Sequence, residues 1–192
     1  PHVVFRFTPN HSAQDTQMFL ANYVGTLQAD AYKGYDKVYA LKKAIEAACW
    51  AHARRYFEKT LDQKAKKEPS PNHPAHAALA FIRRLYQVED LGKGLDPERR
   101  KEMRQKDASP VLDEFRKWLE AQSLSTLPQS PMGEAIGYTL GQWKALCRYL
   151  EDGEIEIDNN AMERALRGVA VGRKNWLFVG SDRAGHSAAG LM

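Results

Sequence analysis

The sequence predicts an α-rich α/β fold, a partial sheet interrupted by a large all-helical insertion. Three observations carry that expectation. Short β-type segments alternate with helix signals over residues 1–52. Residues 53–150 are helical in pattern almost throughout. Residues 151–192 then return to a short apolar β-type segment followed by a helix. The expected organisation is therefore one α/β domain in two pieces, 1–52 and 151–192, with 53–150 inserted between them.

Residues 2–8 are rich in Val and Phe and end at Pro9-Asn10, the pattern of a strand. Ser12 with Asp15 resembles a capping box, and the helix it opens carries Met18, Phe19 and Tyr23. Residues 24–29 form a short strand with Asp30 just beyond its end, and residues 32–41 a short helix. Residues 44–50 are either a buried strand or a helix start, which periodicity does not separate. Beyond Ala53 the helical pattern is broken by Pro69-Ser70-Pro71, Gly92-Lys93-Gly94 and Pro128-Gln129-Ser130-Pro131. Between the breaks, Phe81, Leu85 and Val88 share one core-facing stripe, and Asp96-Pro97 is a favoured cap and first turn. Leu112, Phe115 and Leu119 mark a further helix. Ile136, Leu140, Trp143, Cys147 and Leu150 mark the last, ending near Gly153. The charge run from Lys64 to Lys67 reads as a solvated helix end, and His73 and His76 as exposed residues without a special role.

At 192 residues the chain is long enough to bury a sizeable core, and its 43% hydrophobic content is that of a globular protein. No apolar run is long enough to cross a bilayer, so a cytoplasmic protein without membrane association is expected. Two cysteines, Cys49 and Cys147, are too few for a disulfide framework and fit a reducing compartment. Pro1 in place of a methionine, and the small apolar residues up to Met192, read as the ends of a piece cut from a larger protein. The net charge of +4 says little alone. Its distribution says more: from Asn160 onward Arg164, Arg167, Arg173, Lys174 and Arg183 face only two acids, Glu163 and Asp182.

Chemistry concentrates in the run Asp158-Asn159-Asn160-Ala161-Met162-Glu163-Arg164-Ala165-Leu166-Arg167. Asp158 has the character of an N-cap, which places the helix start there. Helical spacing then aligns Asn160, Glu163 and Arg167 in one row and Met162, Leu166 and Val169 in a second, apolar one. An acid held on a packed helix among arginines suits a divalent cation beside a phosphate. An amphipathic helix with internal ion pairs is the plain alternative, but adjacent amides form helix poorly unless they cap or contact something. Arg54 and Arg55 beside Tyr56, and Arg173 and Lys174 beside Trp176, are donors and aromatics of the kind that hold DNA backbone and unpaired bases. Cys49-x-x-His52 resembles half a zinc site, yet only Cys147 and scattered histidines could complete four ligands, and a buried Cys with a hydrogen-bonded His is the simpler account.

The D-N-N-x-x-E-R-x-x-R run closely resembles the segment bearing the last acid of the DDE triad in insertion-sequence-66 family transposases. Three more segments resemble that family, in its order: Leu27-Gln28-Ala29-Asp30-Ala31-Tyr32-Lys33-Gly34-Tyr35, Cys49-Trp50-Ala51-His52-Ala53-Arg54-Arg55, and Gly172-Arg173-Lys174-Asn175-Trp176-Leu177-Phe178-Val179-Gly180-Ser181. The resemblance implies an RNase-H-like catalytic domain of a bacterial enzyme that cleaves DNA and transfers strands during transposition. It implies Asp30 and Glu163 as catalytic, metal-binding acids, with Mg²⁺ or Mn²⁺ in a two-metal site, since hard cations prefer oxygen ligands. It further implies Cys49 and His52 in support, and DNA contacts from Arg54, Arg55, Asn160, Arg164, Arg167, Arg173 and Lys174. The partners implied are transposon ends and target DNA, a homo-oligomer assembled on them, and accessory transposition proteins. The family's first Asp, on the opening strand, has no counterpart here, so this piece alone is expected to be inactive. The alternative is a helical DNA-binding or assembly module without chemistry of its own. A carboxylate-pair glycosidase fits less well, because the arginines around Glu163 favour an anionic substrate.

Overall fold

Helix dominates the computed structural model, with one two-stranded parallel sheet among the described residues, an α-rich α/β architecture. The structure describes residues 13–30, 33–40, 44–62 and 72–165. The expected strand at 2–8, the Ser12 cap, the Lys64–Lys67 helix end and the Pro69–Pro71 break lie outside them. Two compact units emerge, one of residues 1–25, 32–44 and 159–192, the other of residues 26–31 and 45–158.

In the first unit, α1 (Ala13–Phe19) packs on a 3₁₀ turn at Lys33–Tyr35, which leads into α2 (Asp36–Ala40). The helix expected to carry Met18, Phe19 and Tyr23 stops at Phe19, and all three side chains are exposed. In α2 the buried residue is Val38.

The second unit holds most of the sheet. β1 (Gly25–Gln28) pairs with β2 (Ala44–Ala47), which resolves the open reading of residues 44–50 as a strand followed by the first turn of α3 (Trp50–Asp62). Helical structure thus begins three residues before Ala53. Among the described residues of 53–150 there is no strand. The helices after α3 are α4 (Pro74–Leu91), α5 (Pro97–Met103), α6 (Ser109–Ser125), α7 (Pro131–Gly141) and α8 (Trp143–Leu146). Helices α3, α4, α6 and α7 pack on one another. Phe115 lies at their centre, stacked on Phe81 at 4.9 Å and tilted against Phe57 and Trp50. Trp50 is fully buried, meets Trp143 edge-on and donates its indole N–H to the Leu146 carbonyl at 2.9 Å.

Starts and stops follow local chemistry. Asp96 accepts the Arg99 amide, so α5 opens at Asp96-Pro97 as expected. His73 is not idle: half-buried, it caps α4 by accepting the Ala75 amide at 3.2 Å. Gly94, at φ +85°, turns the chain after α4 in a conformation that a side chain resists. Helix α5 continues into α6 through a π-helical turn at Arg104–Ala108. Pro110 follows, and the wider turn accommodates its missing N–H and its ring.

The helix expected to run unbroken from Ile136 to Leu150 is instead α7, α8 and a 3₁₀ turn at Arg148–Leu150. Two carbonyls that would continue the helical ladder are engaged elsewhere. Ala145 accepts the Ala48 amide at the end of β2, and Leu146 accepts Trp50.

Candidate functional site

Residues 149–158, which lead to the Asp-Asn-Asn run, form neither helix nor paired strand beyond Leu150. Ile155 and Ile157 are buried while Glu154 and Glu156 are exposed, the alternation of a half-buried strand without its ladder. Backbone carbonyls in such a strap need other donors, and the second unit supplies them. The Arg104 guanidinium, wholly buried, donates through Nη1 to the carbonyls of Tyr149 (2.9 Å), Asp152 (3.1 Å) and Ile155 (2.9 Å). Its Nε and Nη2 form a two-pronged pair with Glu89 at 2.8 and 2.6 Å. The Gln28 amide donates to the Glu156 carbonyl at 2.7 Å, and the Trp50 amide to the Ile157 carbonyl at 3.1 Å. Tyr86 donates its hydroxyl to Asp158 Oδ2 at 2.7 Å. Gly153 is buried so close to Pro97 that a Cβ there would overlap the Pro97 carbonyl.

The Gln28 contact ties two distant segments. Its side chain also reaches the Ala48 carbonyl at 3.3 Å, so one amide group bridges β1, the residue after β2 and the strap. Asp30 is exposed, two residues beyond Gln28 and past the end of β1, as expected. Cys49 is fully buried. His52, on the first turn of α3, lies 3.3 Å from an Arg55 guanidinium nitrogen. Arginine can only donate, so His52 Nε2 is the acceptor in that contact. Among the described residues no group of three His, Cys, Asp or Glu side chains is placed to hold a metal ion, so Cys49 and His52 gain no zinc partners there.

Tyrosines surround this region. Tyr56 and Tyr138 stack at 4.4 Å, and the buried Tyr138 hydroxyl has no hydrogen-bond partner among the described residues. Burial first, and then the negative charge of neighbours including Cys49, Asp30 and Glu46, pushes its phenol up to about 12. Tyr86 is raised further, again by burial first and then by its bond to Asp158. Arg54, half-exposed and paired with Glu58, lies over the Tyr86 ring at 6.0 Å from its centre.

In the first unit, the helix after the strap has its first helical residue at Asn160, not at Asp158. Asn159 holds the cap position and its carbonyl accepts the Glu163 amide at 3.1 Å. Asp158, one residue before that cap, accepts the Tyr86 hydroxyl through Oδ2. Glu163 and Asn160 are half-buried, Arg164 is exposed, and Met162 is half-exposed. Arg167, Arg173, Lys174, Trp176 and the apolar partners Leu166 and Val169 lie outside the described residues. Sequence reading missed Gln28, Arg104 and Tyr86 altogether. Only Gln28 carried a signal, as a member of the L-Q-A-D segment.

Comparison with known proteins agrees with the motif reading. Residues 1–187 match the model of the Transposase IS66 family. Among curated proteins, three uncharacterised ones from Sinorhizobium fredii are similar over essentially the whole chain. They are y4hP and y4jD, each 34% identical over 100% of this chain and 37% of their own length, and y4qI, 33% identical over 98% and 35%. The chain thus spans little more than a third of these relatives. No solved structure matches it.

Proposed function

The chain belongs to the IS66 family of transposases, and from that premise we propose that the full-length protein cleaves DNA and transfers strands in a divalent-metal-dependent transposition reaction. The observation that carries this reading is the convergence, within the second unit, of two segments that resemble the family's motifs on the strap that leads into the third. Gln28 of L-Q-A-D and Trp50 of C-W-A-H both donate to the strap that ends in Asp158. Residues so far apart in sequence are thus held together just ahead of the Asp-Asn-Asn run.

Asp30 and Glu163 are the proposed metal-binding acids. Their donor set fits, since both offer carboxylate oxygens, the ligands that hard cations prefer, and Asp30 is open to solvent. Bound there, Mg²⁺ or Mn²⁺ supplies activation of the attacking hydroxyl and neutralisation of charge on the leaving oxygen. Arg54, Arg55, Arg164, Arg167, Arg173 and Lys174 hold backbone phosphates of the transposon end or target, with Asn160 as a neutral donor. Cys49 and His52 act in support, the first as a buried residue between β2 and α3 and the second by orienting Arg55. An RNase-H-like arrangement, divided as 1–52 and 151–192 about a helical insertion at 53–150, accommodates these roles. The site acts in a cytoplasmic oligomer on DNA, served by accessory transposition proteins. Among the described residues no helix is long and apolar enough to cross a membrane.

The test is cleavage of a transposon-end substrate by the full-length protein. Glu163→Gln keeps shape but loses charge, so DNA binding should persist while Mg²⁺-dependent cleavage disappears. Arg167→Ala or Lys174→Ala should weaken binding alike across sequences and make the salt dependence shallower by about 0.9 in log–log slope for each phosphate no longer neutralised. Near-normal cleavage by Glu163→Gln would return its helix to a structural role and leave the non-catalytic DNA-binding module as the better account.

A further inference from the structure

We propose that Tyr86 is a positioning residue for the Asp-Asn-Asn segment, fixing through its hydrogen bond to Asp158 the point from which the Glu163-bearing helix departs. The proposal rests on the catalytic reading above and deepens it. It assigns Asp158 a role as the acceptor that Tyr86 holds, distinct from that of a metal ligand.

Three features support it. The contact is short, 2.7 Å, and joins α4 to a residue 72 positions later, so it has no origin in local helix geometry. It also continues a series. Arg104, Gln28 and the Trp50 amide fix the strap as far as Ile157, and Tyr86 extends that series to Asp158, beside the Asn159 cap. Finally, the phenol is a dependable donor. Burial and the adjacent carboxylate favour its protonated form, and the Arg54 guanidinium over its ring limits the freedom of the side chain. A donor that holds a carboxylate next to a ligand-bearing element works as outer-shell partners do in metal sites, by setting geometry without touching the reacting atoms.

The experiment compares Tyr86→Phe, Asp158→Asn, Asp158→Ala and the double variant Tyr86→Phe/Asp158→Ala in the full-length protein. Tyr86→Phe keeps the ring and its packing and removes only the hydroxyl. Two quantities are measured: amide hydrogen exchange over residues 156–160, and the Mg²⁺ concentration giving half-maximal cleavage of a transposon-end duplex. Tyr86→Phe and Asp158→Ala should each raise both by about tenfold, the lower end of what loss of an outer-shell partner costs, with DNA affinity held within about twofold. The double variant should be no worse than Asp158→Ala alone, because that variant already removes the Tyr86 bond. Asp158→Asn retains an oxygen acceptor and should stay near wild type. If Asp158→Asn is as damaging as Asp158→Ala, or if Tyr86→Phe leaves exchange and metal midpoint unchanged, the positioning role is wrong. Failure of the catalytic reading shows separately, as normal cleavage by Glu163→Gln, and the exchange measurement still decides whether Tyr86 fixes the segment.

Discussion

Arg104 offers the sharpest test of how the strap is held. Its guanidinium is wholly buried and uses three nitrogens to make five hydrogen bonds, two to the Glu89 carboxylate and three to backbone carbonyls. Replacing it with Ala leaves a carboxylate that is only 13% exposed with no counter-charge from this residue. Breaking a buried pair in this way costs about 3–5 kcal/mol. The three carbonyls add less than their full desolvation penalty, because Asp152 is exposed and the strap can lift toward water. With roughly 1 kcal/mol for them, Arg104→Ala should cost about 4–6 kcal/mol, a large part of the roughly 5–15 kcal/mol that stabilises a typical domain. At this chain length that lowers Tm by roughly 8–24 °C, measurable by circular dichroism on heating or by urea unfolding. The cost should come mainly from the stranded Glu89, so Arg104→Met combined with Glu89→Leu should recover most of the loss. A loss under about 1 kcal/mol for Arg104→Ala would refute the reasoning, since it would mean the carboxylate and carbonyls find water as readily without the guanidinium.

Two glycines should respond oppositely to alanine. Gly153→Ala drives a methyl into the Pro97 carbonyl and should destabilise by about 1–3 kcal/mol, whereas Gly137→Ala, on an exposed turn of α7 with open space around it, should stabilise by about 0.5–1 kcal/mol; paired urea titrations check both. Stability should also fall at alkaline pH. Cys147 and Tyr138 are both pushed up to about 12 from ordinary values of 9.0 and 10.0, so the folded state keeps protons that the unfolded chain releases; their contribution is complete below pH 9 and is lost progressively toward 12, as unfolding at stepped pH would show.

What was legible in the sequence was what is local. The end of β1 before Asp30, the Asp96-Pro97 start of α5 and the buried stripes of α4 and α6 each rest on residues within a few positions of one another. Failures fell where a distant group took over a local role. Asp158 has the chemistry of a cap, but it accepts the hydroxyl of Tyr86 of α4, 72 positions away, and the helix starts after Asn159. The helix through Trp143 is apolar enough to continue, but β2 and Trp50 draw off its carbonyls. His73 looks like surface until its ring nitrogen is needed at the head of a helix whose first residue is a proline. Periodicity describes which face of an element is buried and is silent about which donor will reach its backbone.

The same distinction explains letters in the motifs that have no evident part in phosphoryl chemistry. Asp30 and Glu163 are recognisable because carboxylates are what a hard cation needs. Gln28 and Trp50 carry no carboxylate, and from sequence alone they read as padding around Asp30 and His52. In the fold each supplies a donor to the strap, at consecutive carbonyls, Glu156 and Ile157. A strap without a ladder can be as well fixed as a strand if every inward carbonyl has a dedicated donor. The donors here are an amide, a buried backbone N–H, a guanidinium and a phenol whose protonated form is favoured by burial and by Asp158. Drawn from β1, α3, the π-helical turn and α4, they fix the strap up to Asp158, the segment that leads toward the proposed acid Glu163.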